Sequence, residues 1–381
     1  MTSSGELLGV VLAGGESRRF GGAKTEARVR GRTLVERAIR TLSPVCSEVV
    51  VGRAPELPDL RSGRGPLGGL EAALARARDR GVDGVVVLAC DLPVIDSSTM
   101  LALVAAWREA AEPRRAVSVL DEPLQPLCGV WGSEVLDPVS AAIDEDRLSA
   151  RSFVRDYPHS LLMSASGASN RLGLLPGQLL HNVNHPEDLE PAGGLVLPPI
   201  VSVVGWKDSG KTTVAAALVS ALVARGHDVA AAKHGHRFRL DTEGTDSWKL
   251  RHEAGAPRVL LAGPDEMALM ETWRAGEVPL GGLVRRYLRD ADVVVAEGWK
   301  SEGWPAIEVR GSGTPDGPLF DRHAADADRF LAIVDAGTAG APPSRSAPVT
   351  GDRPVRLDRN DPRLGEMLAA VLESRLLPVT R

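Results

Sequence analysis

Cysteine is scarce: Cys46, Cys90 and Cys128 lie far apart and form no C-x-x-C pair. That excludes a disulfide framework and a zinc knuckle. No apolar run approaches the roughly 18 residues that a membrane-spanning helix needs. The one apolar run near the start, Leu7–Ala13, has no basic residue before it and a Gly-rich segment after it. It reads as a buried strand rather than a signal peptide, and the expected location is cytoplasmic. An excess of positive charge is also missing, since the formal net charge is −5. This argues against a chain whose main work is to coat nucleic acid or an anionic membrane. There is no internal repeat of fixed period.

What is present is a soluble, globular composition, 43% hydrophobic and 25% charged over 381 residues, long enough for two cores of ordinary size. The first half alternates short β-like runs with Ala-rich stretches. Leu8–Ala13, Glu48–Gly52 and Gly84–Ala89 read as strands, and Leu34–Leu42 and Gly68–Arg80 as helices. This grammar predicts an α/β domain with a parallel, doubly wound sheet and ligands at the carboxyl ends of its strands. Ala116–Leu120 and Leu127–Trp131 are expected to add antiparallel edge strands. Composition shifts to Pro and Gly over Pro186–Pro199, so the expected division is residues 1–190, a linker 191–199, and a second α/β domain 200–381. There the grammar restarts with Ile200–Val204, then a helix over Thr212–Arg225, with Val229–Ala232 and Asp292–Ala296 as further strands. Ala336–Arg353 reads as a surface loop before a last helix, Pro362–Leu376.

The second half carries Gly205-Trp-Lys-Asp208-Ser209-Gly210-Lys211-Thr212-Thr213, a full match to G-x-x-x-x-G-K-[ST] between an apolar strand and an Ala-rich helix. In such a P-loop the glycines let backbone N–H groups turn onto a β-phosphate at the positive end of the helix. Lys211 would reach the β/γ oxygens, and the Thr212 hydroxyl would hold Mg²⁺. Glu297 closes Val293-Val-Val-Ala-Glu and is placed to join that metal; the plainer alternative is a solvent-facing acid at a strand end. His234 and His236 lack a third ligand motif, so hydrogen bonding in a loop fits them better than a metal. Trp206, Trp248, Trp299 and Trp304 read as half-buried packing residues.

Further motifs follow in order: Lys233-His-Gly-His236, Asp241-Thr-Glu-Gly-Thr-Asp246-Ser247-Trp, Ala254-Gly-Ala, Glu297-Gly-Trp-Lys300 and Ile307-Glu-Val. Over about Pro199–Val309 this series resembles the MobB family, GTP-binding partners in molybdenum cofactor biosynthesis. Thr245 stands where that family commonly carries Lys.

In the first half, Leu12-Ala13-Gly14-Gly15-Glu-Ser-Arg18-Arg19-Phe-Gly-Gly-Ala-Lys24 follows the first strand directly. Paired glycines let the chain pass close to phosphates, and Arg18 and Lys24 can stabilise charge on a departing pyrophosphate. A solvated turn with surface arginines is the bland alternative. Asp91, at the end of Val85–Ala89 plus Cys90, is a carboxylate placed for Mg²⁺. Gly65-Pro66-Leu67-Gly68-Gly69 offers a second close backbone approach, suited to a base or sugar, or simply a turn opening the next helix.

Taken together, LAGG-x-S-x-R-x-x-G-x-x-K, GPLGG, CDLP and Asn182-Val-Asn184-x-Pro-Glu-Asp188-Leu resemble the MobA family of molybdenum cofactor guanylyltransferases across about Leu8–Leu189. The resemblance implies that the first loop binds GTP phosphates, that Asp91 holds Mg²⁺, and that Asn182 and Asn184 lie near the acceptor or metal. Ala23 and Phe20 depart from the family's usual Asp and Met, and Asp59 is the nearest counterpart of its further acid. The whole chain therefore resembles a fusion: a Rossmann-like nucleotidyltransferase domain followed by a P-loop GTP-binding adaptor. The implied substrates are GTP and molybdopterin, and the implied partners are the molybdoenzymes or insertion chaperones that receive the cofactor, with homo-oligomers possible in principle and neither nucleic acid nor membrane as partner. A cytidylyl or sugar-phosphate nucleotidyltransferase, and a non-catalytic GTP-dependent delivery scaffold, remain as alternatives.

Overall fold

The computed structural model describes residues 6–13, 20, 24–52, 56–110, 116–120, 124–175, 177–235, 240–273, 276–311, 317–321, 324, 326–336 and 354–377. Its frame is two six-stranded sheets, one from each half.

The first sheet contains β1 (Leu7–Leu12), β4 (Glu48–Gly52), β5 (Gly84–Ala89), β6 (Ala116–Leu120), β7 (Gln125–Gly132) and β8 (Ser160–Ser164), in the order β4-β1-β5-β7-β6-β8. Two short strands, β2 (Arg28–Val29) and β3 (Arg32–Thr33), form a separate hairpin. Strands β1 and β5 are continuous apolar runs because both of their faces are covered, and every residue in each is buried. Strands β4, β1 and β5 are parallel, as the alternating grammar requires.

Two expected edge strands are corrected. Strand β7 pairs antiparallel with both β5 and β6, and β6 pairs parallel with β8, so both lie inside the sheet and β8 forms the edge. Nothing in Ser160-Leu-Leu-Met-Ser164 is β-branched, and the strand is only half-buried, so its sequence carries little strand signal.

Helices follow the same local rules. Helix α1 (Leu34–Leu42) begins in a capping box in which Glu36 N donates to Thr33 Oγ1 at 3.1 Å and Thr33 N donates to Glu36 Oε2 at 2.7 Å. Helix α2 (Gly65–Arg80) ends at Gly81 in the left-handed conformation, φ 67°. Helix α3 (Ser97–Glu109) is capped by Asp96, whose carboxylate accepts from Ser98 N and Thr99 N. Helices α4 (Leu136–Asp144), α5 (Ala150–Asp156) and α6 (Ser166–Arg171) complete the first half, and α7 (Leu189–Leu195) leads toward the second.

The second sheet is parallel throughout, in the order β10-β13-β9-β14-β15-β16. Its strands are β9 (Ile200–Val204), β10 (Val229–Lys233), β13 (Val293–Glu297), β14 (Ala306–Val309), β15 (Phe330–Asp335) and β16 (Val355–Asp358). A two-stranded ribbon, β11 (Arg258–Ala262) and β12 (Met267–Glu271), stands apart. Helix α8 (Lys211–Ala224) and the final helix, Leu364–Arg375, pack over β9 and β15. The Ala336–Arg353 loop expectation falls, but for Ala336, outside the described residues.

The two halves share a core. Val11, Val86 and Leu88 of the first sheet belong to one buried apolar cluster with Ile200, Leu280, Val284, Val294 and Trp304 of the second half. At the seam, Arg285 Nε donates to Leu172 O at 3.1 Å and Nη1 to Leu195 O at 2.5 Å. Arg30 pairs with Asp290 at 3.2 Å, and Arg108 with Asp328 at 2.5 Å. Backbones also meet there: a Cβ on Gly281 would stand 2.5 Å from Arg171 O, so only glycine fits.

Candidate functional sites

The first site sits at the carboxyl ends of β1 and β5. Leu12 ends β1, and its carbonyl accepts from Cys90 N at 3.2 Å, which draws Asp91 level with the start of the Gly-rich loop. Lys24 opens a short helical turn on the far side of that loop. Its Nζ donates to Asp91 Oδ2 at 3.1 Å and to Asn184 Oδ1 at 3.0 Å. The side chains of Lys24 and Asp91 are 16% and 28% exposed, so a ligand can still reach both.

Asn182 completes the cluster. With its amide oriented to suit its neighbours, its nitrogen donates to Asp91 Oδ2 at 3.1 Å and its oxygen accepts from Gln125 Nε2 at 3.2 Å. Gln125, on β7, is a site residue that sequence reasoning missed. The Asn182–Asn184 segment is anchored from both ends. Val183 N donates to Asp91 O at 2.9 Å, and Asp188 Oδ2 accepts from Asn184 N and His185 N, both at 2.8 Å. Those two backbone bonds, Asn184's first, hold the Asp188 carboxyl below the usual aspartate value.

Ala13 is described and half-buried, whereas Gly14, Gly15 and Arg18 lie outside the described residues. Gly65, Pro66, Leu67 and Gly68 form the first turn of α2 rather than a free loop. No side chain caps that helix, and Gly68 N donates to Arg64 O at 3.4 Å. A Cβ on Gly69 would stand 3.2 Å from Leu12 Cδ2 and 3.6 Å from Asp59 Oδ1. Asp59 and the end of β1 thus flank the same turn of α2.

The second site follows β9. A Cβ on Gly205 would stand 2.3 Å from Val309 O, and Gly205 has φ 152°, so the chain can leave the strand there only as glycine. Asp208 adopts φ 61°, Ser209 is fully buried, and Gly210 leads into α8. Lys211 Nζ donates to Trp206 O at 2.5 Å within its own loop. Burial holds its ammonium below the ordinary lysine value, an effect that Glu297 opposes and Lys233 reinforces.

Thr212 Oγ1 donates to Glu297 at 2.9 Å, and Lys233 Nζ reaches the same carboxylate at 2.8 Å and the Thr212 hydroxyl at 3.0 Å. Strand register explains the meeting, since Lys233 and Glu297 are directly paired on β10 and β13. Thr213 is exposed on α8. Arg359, which sequence reasoning missed, donates from Nη1 to Ser209 O at 2.8 Å and braces the loop from the end of β16. His234 pairs with Glu277 at 2.8 Å, and His236 lies outside the described residues. Trp304 is fully buried, beyond the half-burial expected.

Neither site has thiol chemistry. All three cysteines are buried and unbridged, and burial pushes the Cys128 thiol up to about 12. Among the described residues no group of three or more His, Cys, Asp or Glu side chains could hold a metal. No helix of the described residues is long and apolar enough to cross a membrane.

Comparison with known proteins finds one family model in each half. Residues 9–161 match the family model of the MobA-like NTP transferase domain, and residues 200–335 match that of molybdopterin guanine dinucleotide synthesis protein B. A probable molybdenum cofactor guanylyltransferase from Rhodopirellula baltica is 31% identical over 202 residues, which is 49% of this chain and 90% of that protein. The chain belongs to the molybdenum cofactor guanylyltransferase family. Another member, from Opitutus terrae, is 33% identical over 48% of this chain and 92% of its own length. The second half is similar to the molybdopterin-guanine dinucleotide biosynthesis adapter protein of Haemophilus influenzae, at 38% identity over 29% of this chain and 61% of that protein. This guanylyltransferase-family chain therefore joins a MobA-like transferase domain to a MobB domain.

Proposed function

We propose that the first half transfers the guanylyl group of GTP to the terminal phosphate of molybdopterin, and that the second half binds GTP as an in-chain adaptor. The observation that carries this reading is the cluster in which Lys24 bridges Asp91 and Asn184. It combines a cation, a carboxylate and two amides beside the carboxyl end of β5.

An oxygen of the acceptor phosphate bonds to the α-phosphorus of GTP, and the α–β bridging P–O bond breaks. Pyrophosphate leaves with the electron pair. The nucleophile is already an anion, so no protein base has to remove a proton. What the chain must supply is position and positive charge. Lys24 is placed to neutralise charge on the leaving group, with Arg18 of the preceding loop as its expected second cation. Asn182 and Asn184 orient the acceptor, and the first turn of α2 receives the base or sugar.

A single carboxylate flanked by amides suits Mg²⁺, which takes one or two carboxylates and completes its shell with phosphate oxygens and water. Asp91 would hold it in the first site, and Thr212 with Glu297 in the second. When bound, Mg²⁺ neutralises phosphate charge. In the second half, the Gly205–Thr212 loop cradles the phosphates, and slow hydrolysis of GTP there is part of the proposal.

The test is Mg²⁺-dependent pyrophosphate release by the full chain with molybdopterin, comparing GTP, CTP and ATP. Release only with GTP and acceptor is expected. Preference for CTP would move the base specificity, and no release with any nucleotide would overturn the transferase reading.

A further inference from the structure

A cavity of about 90 Å³ lies at the seam between the halves, lined by parts of both and by the 196–199 segment that joins them. Four guanidinium groups line it: Arg32, Arg37 and Arg40 from β3 and α1, and Arg285 from the second half. Its one acidic lining residue, Asp96, is already engaged in capping α3, where it accepts from Thr99 N at 3.0 Å and Ser98 N at 3.3 Å.

Arg40 is 7% exposed, and its buried Nε has no hydrogen-bond partner. The two carboxylates that favour its charge are committed elsewhere: Glu36 closes the α1 capping box, and Asp292 Oδ2 accepts from Asp228 N at 3.0 Å. Burial, then the charge of Arg32, brings Arg40 down to about 10, and Arg37 falls to about 9 for the same leading reason. Arg37 and Arg285 donate to backbone carbonyls, which carry no neutralising charge. A buried guanidinium N–H without a partner, as at Arg40, is costly, and cations sharing one cavity repel each other. An anion between them removes both penalties.

We propose that this cavity binds a phosphate-class oxyanion, either inorganic phosphate or the phosphoryl group of a small metabolite. Guanidinium forks match the tetrahedral oxygens of phosphate. The volume of about 90 Å³ suits a phosphoryl group and is far below the roughly 300 Å³ of pockets that enclose whole organic ligands. The site shares no residue with either cluster described above and does not rest on the proposed reaction. Because Arg40 and Arg285 come from different halves, its occupant ties the halves together.

Two measurements on the full chain test this. Crystals soaked in tungstate, a phosphate mimic, should show an anomalous peak within hydrogen-bonding distance of Arg40 and Arg285; a soak that labels only the Gly205–Thr212 loop would overturn the proposal. In solution, phosphate should raise Tm saturably over chloride at equal ionic strength. Arg40→Gln should weaken that response on the order of tenfold or more. Should that buried change impair folding, Arg32→Gln at the half-exposed rim should still reduce it. Unchanged phosphate dependence in the folded variants would sink the idea. Glycerol phosphate as a third titrant separates the sources: a stronger response than to inorganic phosphate assigns the site to a metabolite, a weaker one to free phosphate.

Discussion

Lys24 and Asp91, 67 residues apart in sequence, meet with Nζ 3.1 Å from Oδ2 at the mouth of the first sheet. The same ammonium touches Asn184, 160 residues away. One cation thus joins three of the four motif segments of the first half, and each can be altered separately.

Asp91→Asn keeps the size and most hydrogen bonding of the side chain but removes its charge. Guanylyl transfer should fall by about 100-fold or more, a loss typical of one electrostatic group in a reaction centre. The melting temperature should stay within a few degrees. Near-normal turnover in a pyrophosphate-release assay would remove Asp91 from the site.

Lys211→Ala should weaken GTP binding at the second site on the order of 10- to 100-fold, since charge-assisted contacts to phosphate are lost. Equilibrium dialysis of GTP, fitted for two sites and compared with the unaltered chain, measures the loss. If binding is undiminished, the Gly205–Thr212 loop is not the phosphate cradle.

Asp188 predicts a pH dependence. Its folded-state carboxyl titrates below its unfolded value, because Asn184 N and His185 N donate to the charged form. The stabilisation is therefore complete above the ordinary aspartate value of about 4 and is lost as pH falls through the lower folded value. Amide exchange at Asn184 and His185 should be pH-independent, once corrected for intrinsic rates, between about pH 5 and 8. Asp188→Asn should raise it across that whole range; unchanged exchange in the variant would contradict the anchoring role.

Gly281→Ala places a methyl 2.5 Å from the Arg171 carbonyl, backbone against backbone. Neither side can rotate away, so a cost of about 1–3 kcal/mol is expected. Urea unfolding of the full chain measures it, and a stability equal to wild type would mean that the seam yields.

Much of this was legible because the chemistry sits in local runs. Leu34–Leu42, Glu48–Gly52 and Gly84–Ala89 formed where their patterns placed them, since period and capping are properties of neighbouring residues. The strand–loop–helix run around Gly205–Thr212 was legible for the same reason. Gln125, Lys233 and Arg359 were not assigned a role, because each gains one only through pairing. Gln125 needs the antiparallel placement of β7, Lys233 needs the β10–β13 register, and Arg359 reaches a loop 150 residues earlier. The GPLGG run was ambiguous between a ligand loop and a helix opening, and the structure makes it the first turn of α2.

The shared core has a consequence for proportion. Two separate proteins meet according to their concentrations, and dilution parts them. Here Ile200, Leu280, Val284 and Trp304 are buried in the same cluster as Val11, Val86 and Leu88. Because one chain carries both halves, the two clusters come in a one-to-one ratio at any dilution, and the shared core holds them together. Cutting the chain at the seam would bare an apolar face on each piece, and such faces promote aggregation. Deleting one half therefore damages the other, so the loss of a single site is better studied by point substitution than by truncation.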